Sequence, residues 1–129
     1  MLERSATEDR IARLRLIRSD NIGPVTYFQL LARFGSAAAA IDAIPGLAAR
    51  GGGRAPKLAP RALVEGEMER VEHLGARYLF LGQGLYPPLL AELESAPPAL
   101  IVKGHLGLLE KPAIAMVGAR NASAAACRF

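Results

Sequence analysis

The sequence has few of the residues on which metal sites and disulfide frameworks depend. It has one cysteine, Cys127, in 129 residues, so no disulfide can form within the chain. With the only two histidines, His73 and His105, that cysteine shows no metal-ligand spacing. There is no tryptophan, no run of about 18 apolar residues and no apolar signal core near the N-terminus. These absences predict a cytoplasmic protein with no metal, no cofactor and no membrane contact.

Motifs for catalysis are also missing. No serine, histidine and acid stand in a suggestive order, and the G-x-S-x-G pattern is absent. The dinucleotide fingerprint G-x-G-x-x-G fails because Arg120 and Ser123 occupy the places of its second and third glycines. Cys127 stands among alanines, which predicts a small buried residue rather than a nucleophile. We therefore expect a protein that is not an enzyme.

The net charge of +4 has a definite location. The stretch between residues 43 and 64 has no acidic residue, and four basic ones: Arg50, Arg54, Lys57 and Arg61. A local basic segment suits contact with a polyanion, because its positive potential is not offset nearby. A solvated linker that the charge keeps soluble is equally consistent with this pattern.

The first 75 residues have the pattern of helices joined by turns. Ser5 and Glu8 fit a capping box for a first helix. Pro24 suits the first turn of a second helix, and Gly35 is well placed to end it. Ser36 predicts the cap of a third, alanine-rich helix that stops before the Pro45-Gly46 pair.

The pattern changes after a glycine-rich, basic connection at residues 50–60. Pro60 predicts the start of a fourth helix, which Gly75 ends. Short apolar runs then follow at residues 78–81, 100–102 and 114–117, each bounded by glycine or proline. Continuous apolar runs of this length are typical of strands covered on both faces, so they predict a parallel α/β sheet.

The turn after the last apolar run is the strongest candidate site. Gly118 allows the backbone to approach an anion, and the N–H groups that follow, beginning at Ala119, suit an anion-binding nest. Arg120 can add a charge-assisted contact to a phosphate, and Ser123 stands where a helix would begin. Lys103, at the end of the preceding apolar run, is a weaker candidate for the same site.

A second turn, Ile22-Gly23-Pro24, lies between two predicted helices and is similar to a helix-hairpin-helix. In such hairpins, N–H groups at a helix start meet a nucleic-acid phosphate. The second glycine of the strict motif is missing, so a purely structural turn between helices is the favoured interpretation, and DNA contact stays open.

The order of these pieces resembles the DNA-processing protein A family (DprA, also called Smf). The resemblance covers most of the chain, and after the helical Ile22-Gly23-Pro24 module it is carried by four further motifs: Tyr86-Pro87-Pro88-Leu89-Leu90, Pro97-Pro98-Ala99-Leu100, Lys103-Gly104 and Ala115-Met116-Val117-Gly118-Ala119-Arg120. In the family, a Gly-Ser-Arg turn contributes its arginine to a positively charged DNA pocket, and Arg120 occupies that place here. The serine of the turn is Ala119, which removes one hydroxyl donor.

The resemblance implies an α plus α/β fold in two parts. Residues 1–75 would form a sterile-alpha-motif-like (SAM-like), helix-hairpin-helix-like module, with the basic linker at 50–60. Residues 76–129 would be the truncated start of an extended Rossmann-type domain with a parallel sheet. The chain would then be the first part of a longer protein.

The resemblance also implies a function. Family members bind single-stranded DNA, help load the recombinase RecA onto it during natural transformation, and dimerise through the Rossmann domain. The implied partners are therefore single-stranded DNA, RecA and, in the full-length form, a second copy. Two alternatives remain: a fragment of a nucleotide-binding Rossmann hydrolase, and a helical module that docks a protein partner.

Overall fold

Four α-helices form the first part of the chain in the computed structural model, which describes residues 1–128. They are α1 (Leu2–Ile17), α2 (Pro24–Phe34), α3 (Ala37–Gly51) and α4 (Arg61–His73). The predicted helical module is therefore confirmed. None of the helices described for residues 1–128 is long and apolar enough alone to cross a bilayer; α2 and α3 together meet that test only as a pair bent by 97°.

The local signals for the second and third helices are confirmed. Pro24 is the first residue of α2, and Gly35 follows its end with φ +81°, a left-handed conformation that glycine adopts without strain. The Ser36 hydroxyl accepts a hydrogen bond from the Ala39 N–H at 3.1 Å and so caps α3.

Two other boundary predictions are wrong. The capping box at Ser5 and Glu8 does not form, because α1 already begins at Leu2 and the Glu8 carboxylate accepts two hydrogen bonds from Arg61. The third helix does not stop before Pro45 but continues through it to Gly51. Proline removes one backbone hydrogen bond there, but the buried side chains of Ile41 and Ile44 hold this part of α3 against the core.

The main core lies between α1, α2 and α3. Tyr27 of α2 is 1% exposed and lies against Leu16 of α1 and Ala40 of α3 in a single apolar cluster. Phe28, Leu31 and Phe34 pack around it as partly buried residues. Apolar burial of this kind, rather than helix propensity, supplies most of the stability of short helices.

Two short strands follow, and they pair antiparallel. β1 (Arg77–Phe80) and β2 (Ala99–Val102) form a ladder in which Arg77 lies opposite Val102 and Phe80 opposite Ala99. The predicted parallel orientation is wrong for this pair. A parallel pair needs a crossover, usually a helix, whereas the connection here contains two proline pairs and only the four-residue helix α5 (Pro88–Ala91).

The third predicted strand, residues 114–117, is not a strand in this structure. Ile114 is 94% exposed, Met116 77% and Val117 100%, and neither β1 nor β2 pairs with this segment. An apolar run forms a strand only where a neighbouring edge satisfies its backbone groups. A Rossmann-type parallel sheet is accordingly not seen in residues 1–128.

The two-stranded sheet packs directly against the helical module. Phe80 of β1 joins a second buried cluster with Ile11 and Leu14 of α1 and Val64 of α4. The division between residues 75 and 76 stays a prediction, but β1 shares its core with α1 and α4. A 3₁₀ helix (Leu106–Glu110) and the short helix α6 (Ala124–Cys127) complete the described elements.

Candidate functional site

The predicted phosphate-binding turn lies in an exposed stretch without regular structure. Gly118, Ala119 and Arg120 are all exposed, and residues 111–123 contain no helix or strand. Within residues 1–128 the Arg120 guanidinium forms no ion pair. Its charge is therefore available to an anion.

The backbone of this turn differs from the prediction. No residue from 105 to 128 has a positive φ, so the predicted nest, which needs a left-handed residue, is not formed. A Cβ at Gly118 would meet no atom within 4 Å. The described protein atoms therefore do not require glycine at this position.

Ser123 begins a helix, as predicted. Its hydroxyl accepts a hydrogen bond from the Ala126 N–H at 3.2 Å, which caps α6. Cys127 at the end of that helix is exposed, so the prediction of a buried cysteine is wrong. The Ser123 hydroxyl accepts this cap bond and keeps its own O–H as a donor for a phosphate.

Lys103 directly follows β2 and is exposed. No hydrogen bond or ion pair within the described residues joins it to the turn at 118–120.

The basic segment is divided by the fold. Arg61 is the first residue of α4, and its guanidinium pairs with Glu8 and Glu65, each at 2.7 Å. Its pKa is raised, chiefly by the hydrogen bond to Glu8. Arg50 lies in the last turn of α3 and Arg54 in the loop that follows. Arg50, Arg54 and Lys57 therefore have no carboxylate partner within residues 1–128.

This basic loop is fastened to the end of α1. The Asp20 N–H donates to the Lys57 carbonyl at 3.2 Å. The Ala59 N–H donates to the buried Ser19 hydroxyl at 3.0 Å, and the Arg15 guanidinium donates to the Ala59 carbonyl at 2.9 Å. These contacts hold the loop beside the turn between α1 and α2.

The hairpin turn and the basic loop therefore share one surface. A cavity of about 310 Å³ is lined by Asn21 and Ile22 of the turn and by Gly53 and Arg54 of the loop. Sequence reasoning treated these as two separate features, because some 30 residues separate them along the chain. Ser19, the residue that links the two through Ala59, carries no motif that would have identified it.

Comparison with protein families gives two matches, in order along the chain. Residues 7–69 match the family described as "DprA-like N-terminal HHH domain". Residues 77–129 match the family described as "DNA recombination-mediator protein A". No curated protein sequence matches the chain.

Proposed function

The chain belongs to the DNA-processing protein A (DprA/Smf) family, and on this premise we propose that it binds single-stranded DNA as a recombination mediator. The two ordered family matches, which indicate a DNA recombination-mediator role, carry this proposal. We propose that the protein acts in natural transformation, in the cytoplasm. We further propose that it has no enzymatic activity and needs no cofactor.

The phosphate contact that we propose first is the turn at Gly118, Ala119 and Arg120. Arg120 is exposed and free of ion pairs within residues 1–128, so it can offer its fork of donors to a phosphate. The glycine has no packing role there, which leaves room for the backbone to approach DNA. Lys103 and Ser123 are secondary candidates for the same strand of DNA.

The hairpin surface is the second proposed contact. Arg54 and Lys57 lie beside the turn that leads into α2, an 11-residue helix whose N-terminus carries a partial positive charge. Two cations and a helix N-terminus lie on this one surface. They favour phosphate binding by the hairpin over a purely structural role for its turn.

The partners that we propose follow from the family: single-stranded DNA, the recombinase RecA and a second copy of the full-length form. In that form residues 76–129 would begin the extended Rossmann-type domain. The exposed apolar run at 114–117 would there be a strand between neighbours, which accounts for its composition.

Substitution of Arg120 tests the proposed site. We expect Arg120→Ala to weaken binding of a labelled oligothymidylate by about tenfold in fluorescence anisotropy, because a charge-assisted phosphate contact is lost. Lys111→Ala is the matched control: it removes one exposed charge from the same stretch and leaves the turn intact. Equal losses in the two variants would reduce Arg120 to a general electrostatic contribution and contradict the proposed site.

Two other results would contradict the proposed function itself. Release of free base from a nucleoside monophosphate by the chain would favour the hydrolase. Absence of DNA binding, with capture of a protein partner that survives nuclease treatment, would favour the interaction module.

A further inference from the structure

β1 has one open edge, and its register shows which backbone groups face outward. The Leu81 N–H donates to the Pro98 carbonyl at 3.0 Å, which continues the ladder by one pair. Hydrogen-bonded pairs alternate in an antiparallel ladder, so Leu79 and Arg77 also direct their backbone groups to β2. The N–H and C=O groups of Tyr78 and Phe80 therefore point away from β2, to the open edge. The Phe80 carbonyl there accepts a hydrogen bond from the Gln83 N–H at 3.1 Å, whereas the two N–H groups are donors for a ligand.

A cleft of about 340 Å³ runs along this edge, between α1 and β1. We call it the β1-edge cleft, and the residues that matter to its chemistry are Arg10, Arg77, Tyr78, Phe80, Gln83 and Gly84. It is remote in sequence from the turn at 118–120, none of whose residues line it.

The charged residues that line the cleft are both arginines. Arg10 comes from α1 and Arg77 from β1, and no carboxylate lines the cleft with them. Within residues 1–128 neither guanidinium forms an ion pair. Arg10 has no acidic residue three or four positions away on α1, where a helix would place a partner.

Three other arginines of the helical module are, by contrast, paired with acids. Arg13, Arg18 and Arg61 each lie 2.7–2.9 Å from a carboxylate oxygen. Two unpaired guanidinium groups beside one cleft repel each other, and an anion between them removes that repulsion.

We propose that the β1-edge cleft binds a phosphate group through Arg10 and Arg77. A guanidinium fork matches the geometry of phosphate oxygens, and the outward N–H groups of Tyr78 and Phe80 supply further donors. Gln83 adds an amide at the rim, and Gly84, with φ +56°, keeps the turn there free of a side chain. The same chemistry serves a phosphodiester of nucleic acid and a free phosphate.

An open strand edge can also take up another strand, and charged residues often prevent this. Arginines that only protect the edge need no ligand and would leave phosphate unbound. Two arginines without an ion pair, from two different elements, line the one cleft, and this favours the anion instead.

Titrations followed by ¹H–¹⁵N NMR on the whole chain test the proposal. Inorganic phosphate and an oligothymidylate are added separately, and the backbone N–H signals of Tyr78, Phe80 and Gly84 are followed with the side-chain Nε signals of Arg10 and Arg77. We expect saturable shifts in these signals. Arg10→Gln and Arg77→Gln should each weaken the binding about tenfold, whereas Arg4→Gln, a charge loss elsewhere on α1, should not.

The two ligands separate the sources of phosphate. If the oligonucleotide saturates the cleft signals and inorganic phosphate does not displace it, the ligand is a nucleic-acid backbone. If inorganic phosphate saturates the same signals equally well, the ligand is a free phosphate. No shift at Arg10 or Arg77 with either ligand, or equal weakening by Arg4→Gln, would overturn the proposal. With inorganic phosphate the cleft signals report this site alone, because no residue of the turn at 118–120 lines the cleft. This site and the one at Arg120 can therefore fail separately.

Discussion

At the scale of single residues, Glu67 of α4 joins the end of α1 to β1 by hydrogen bonds. Its carboxylate accepts hydrogen bonds from Arg18, the residue after α1, at 2.8 and 2.9 Å and from the Tyr78 hydroxyl of β1 at 2.8 Å. The hydrogen bonds from Arg18 are the main cause of its lowered pKa. Burial and the hydrogen bond to Glu67 raise the pKa of Tyr78, so it stays protonated as a donor.

Glu67→Gln should lower the free energy of unfolding at pH 7 by about 1 kcal/mol, a modest value because Arg18 is partly exposed. A carboxyl whose pKa is depressed by folding stabilises the protein above its unfolded pKa, and that contribution is lost as the pH falls through the folded pKa. The difference between the two proteins should therefore be largest near neutral pH and shrink below about pH 4. Urea unfolding at several pH values measures this; a difference that stays constant with pH would contradict it.

Two serine caps allow a matched comparison. Ser36→Ala should lower the free energy of unfolding by about 1 kcal/mol, because the cap of a 15-residue core helix loses its acceptor. Ser123→Ala removes the same kind of cap from α6, which has four residues and none buried, so unfolding of the core should not change measurably. Thermal unfolding followed by circular dichroism compares them, and equal effects would contradict this assignment of the core.

At the scale of elements, sequence predicted what local chemistry decides. Pro24, Gly35, Ser36 and Pro60 each mark a helix boundary where it was expected, because a cap acts over a few neighbouring residues. The orientation of β1 and β2 was missed because an apolar run describes burial and says nothing of the direction of its neighbour. For the same reason residues 114–117 resemble a strand in composition although no edge lies beside them.

The candidate sites also divide into those that a local sequence motif predicts and those that only the fold brings together. Arg120 and Ser123 could be predicted as site residues from the sequence because they follow a recognisable motif, and they stay a prediction. The β1-edge cleft could not, since Arg10 and Arg77 lie on elements far apart in sequence and neither carries a motif. The link from Ser19 to Ala59 was missed for the same reason.

The contact between sheet and helices leads to a prediction for Phe80. Phe80→Ala should lower the free energy of unfolding by about 3 kcal/mol and shift the helical signal at 222 nm, because Leu14 and Val64 lose a buried neighbour. Ile101→Ala, on β2 but 49% exposed, is the control and should have a small effect. A helical transition unchanged by Phe80→Ala would mean that the helices unfold independently of the sheet.

At the scale of the whole molecule, five cations on three surfaces form no ion pair within residues 1–128. The hairpin surface has Arg54 and Lys57, the β1-edge cleft has Arg10 and Arg77, and the last turn has Arg120. Arg13, Arg18 and Arg61 are instead paired with carboxylates. Under the proposed function, cations without an ion pair would contact the phosphate backbone of DNA at several points.

The most direct test of this account is the affinity of the wild-type chain for single-stranded DNA as a function of salt. Binding of a labelled oligothymidylate is measured by anisotropy between about 50 and 300 mM NaCl, a range in which counterion release governs the salt dependence of binding. Unlabelled duplex DNA is added as a competitor. We predict that the logarithm of the binding constant falls linearly with the logarithm of salt concentration, and that duplex competes poorly. Undetectable binding at the lowest salt, or an affinity independent of salt, would contradict the account.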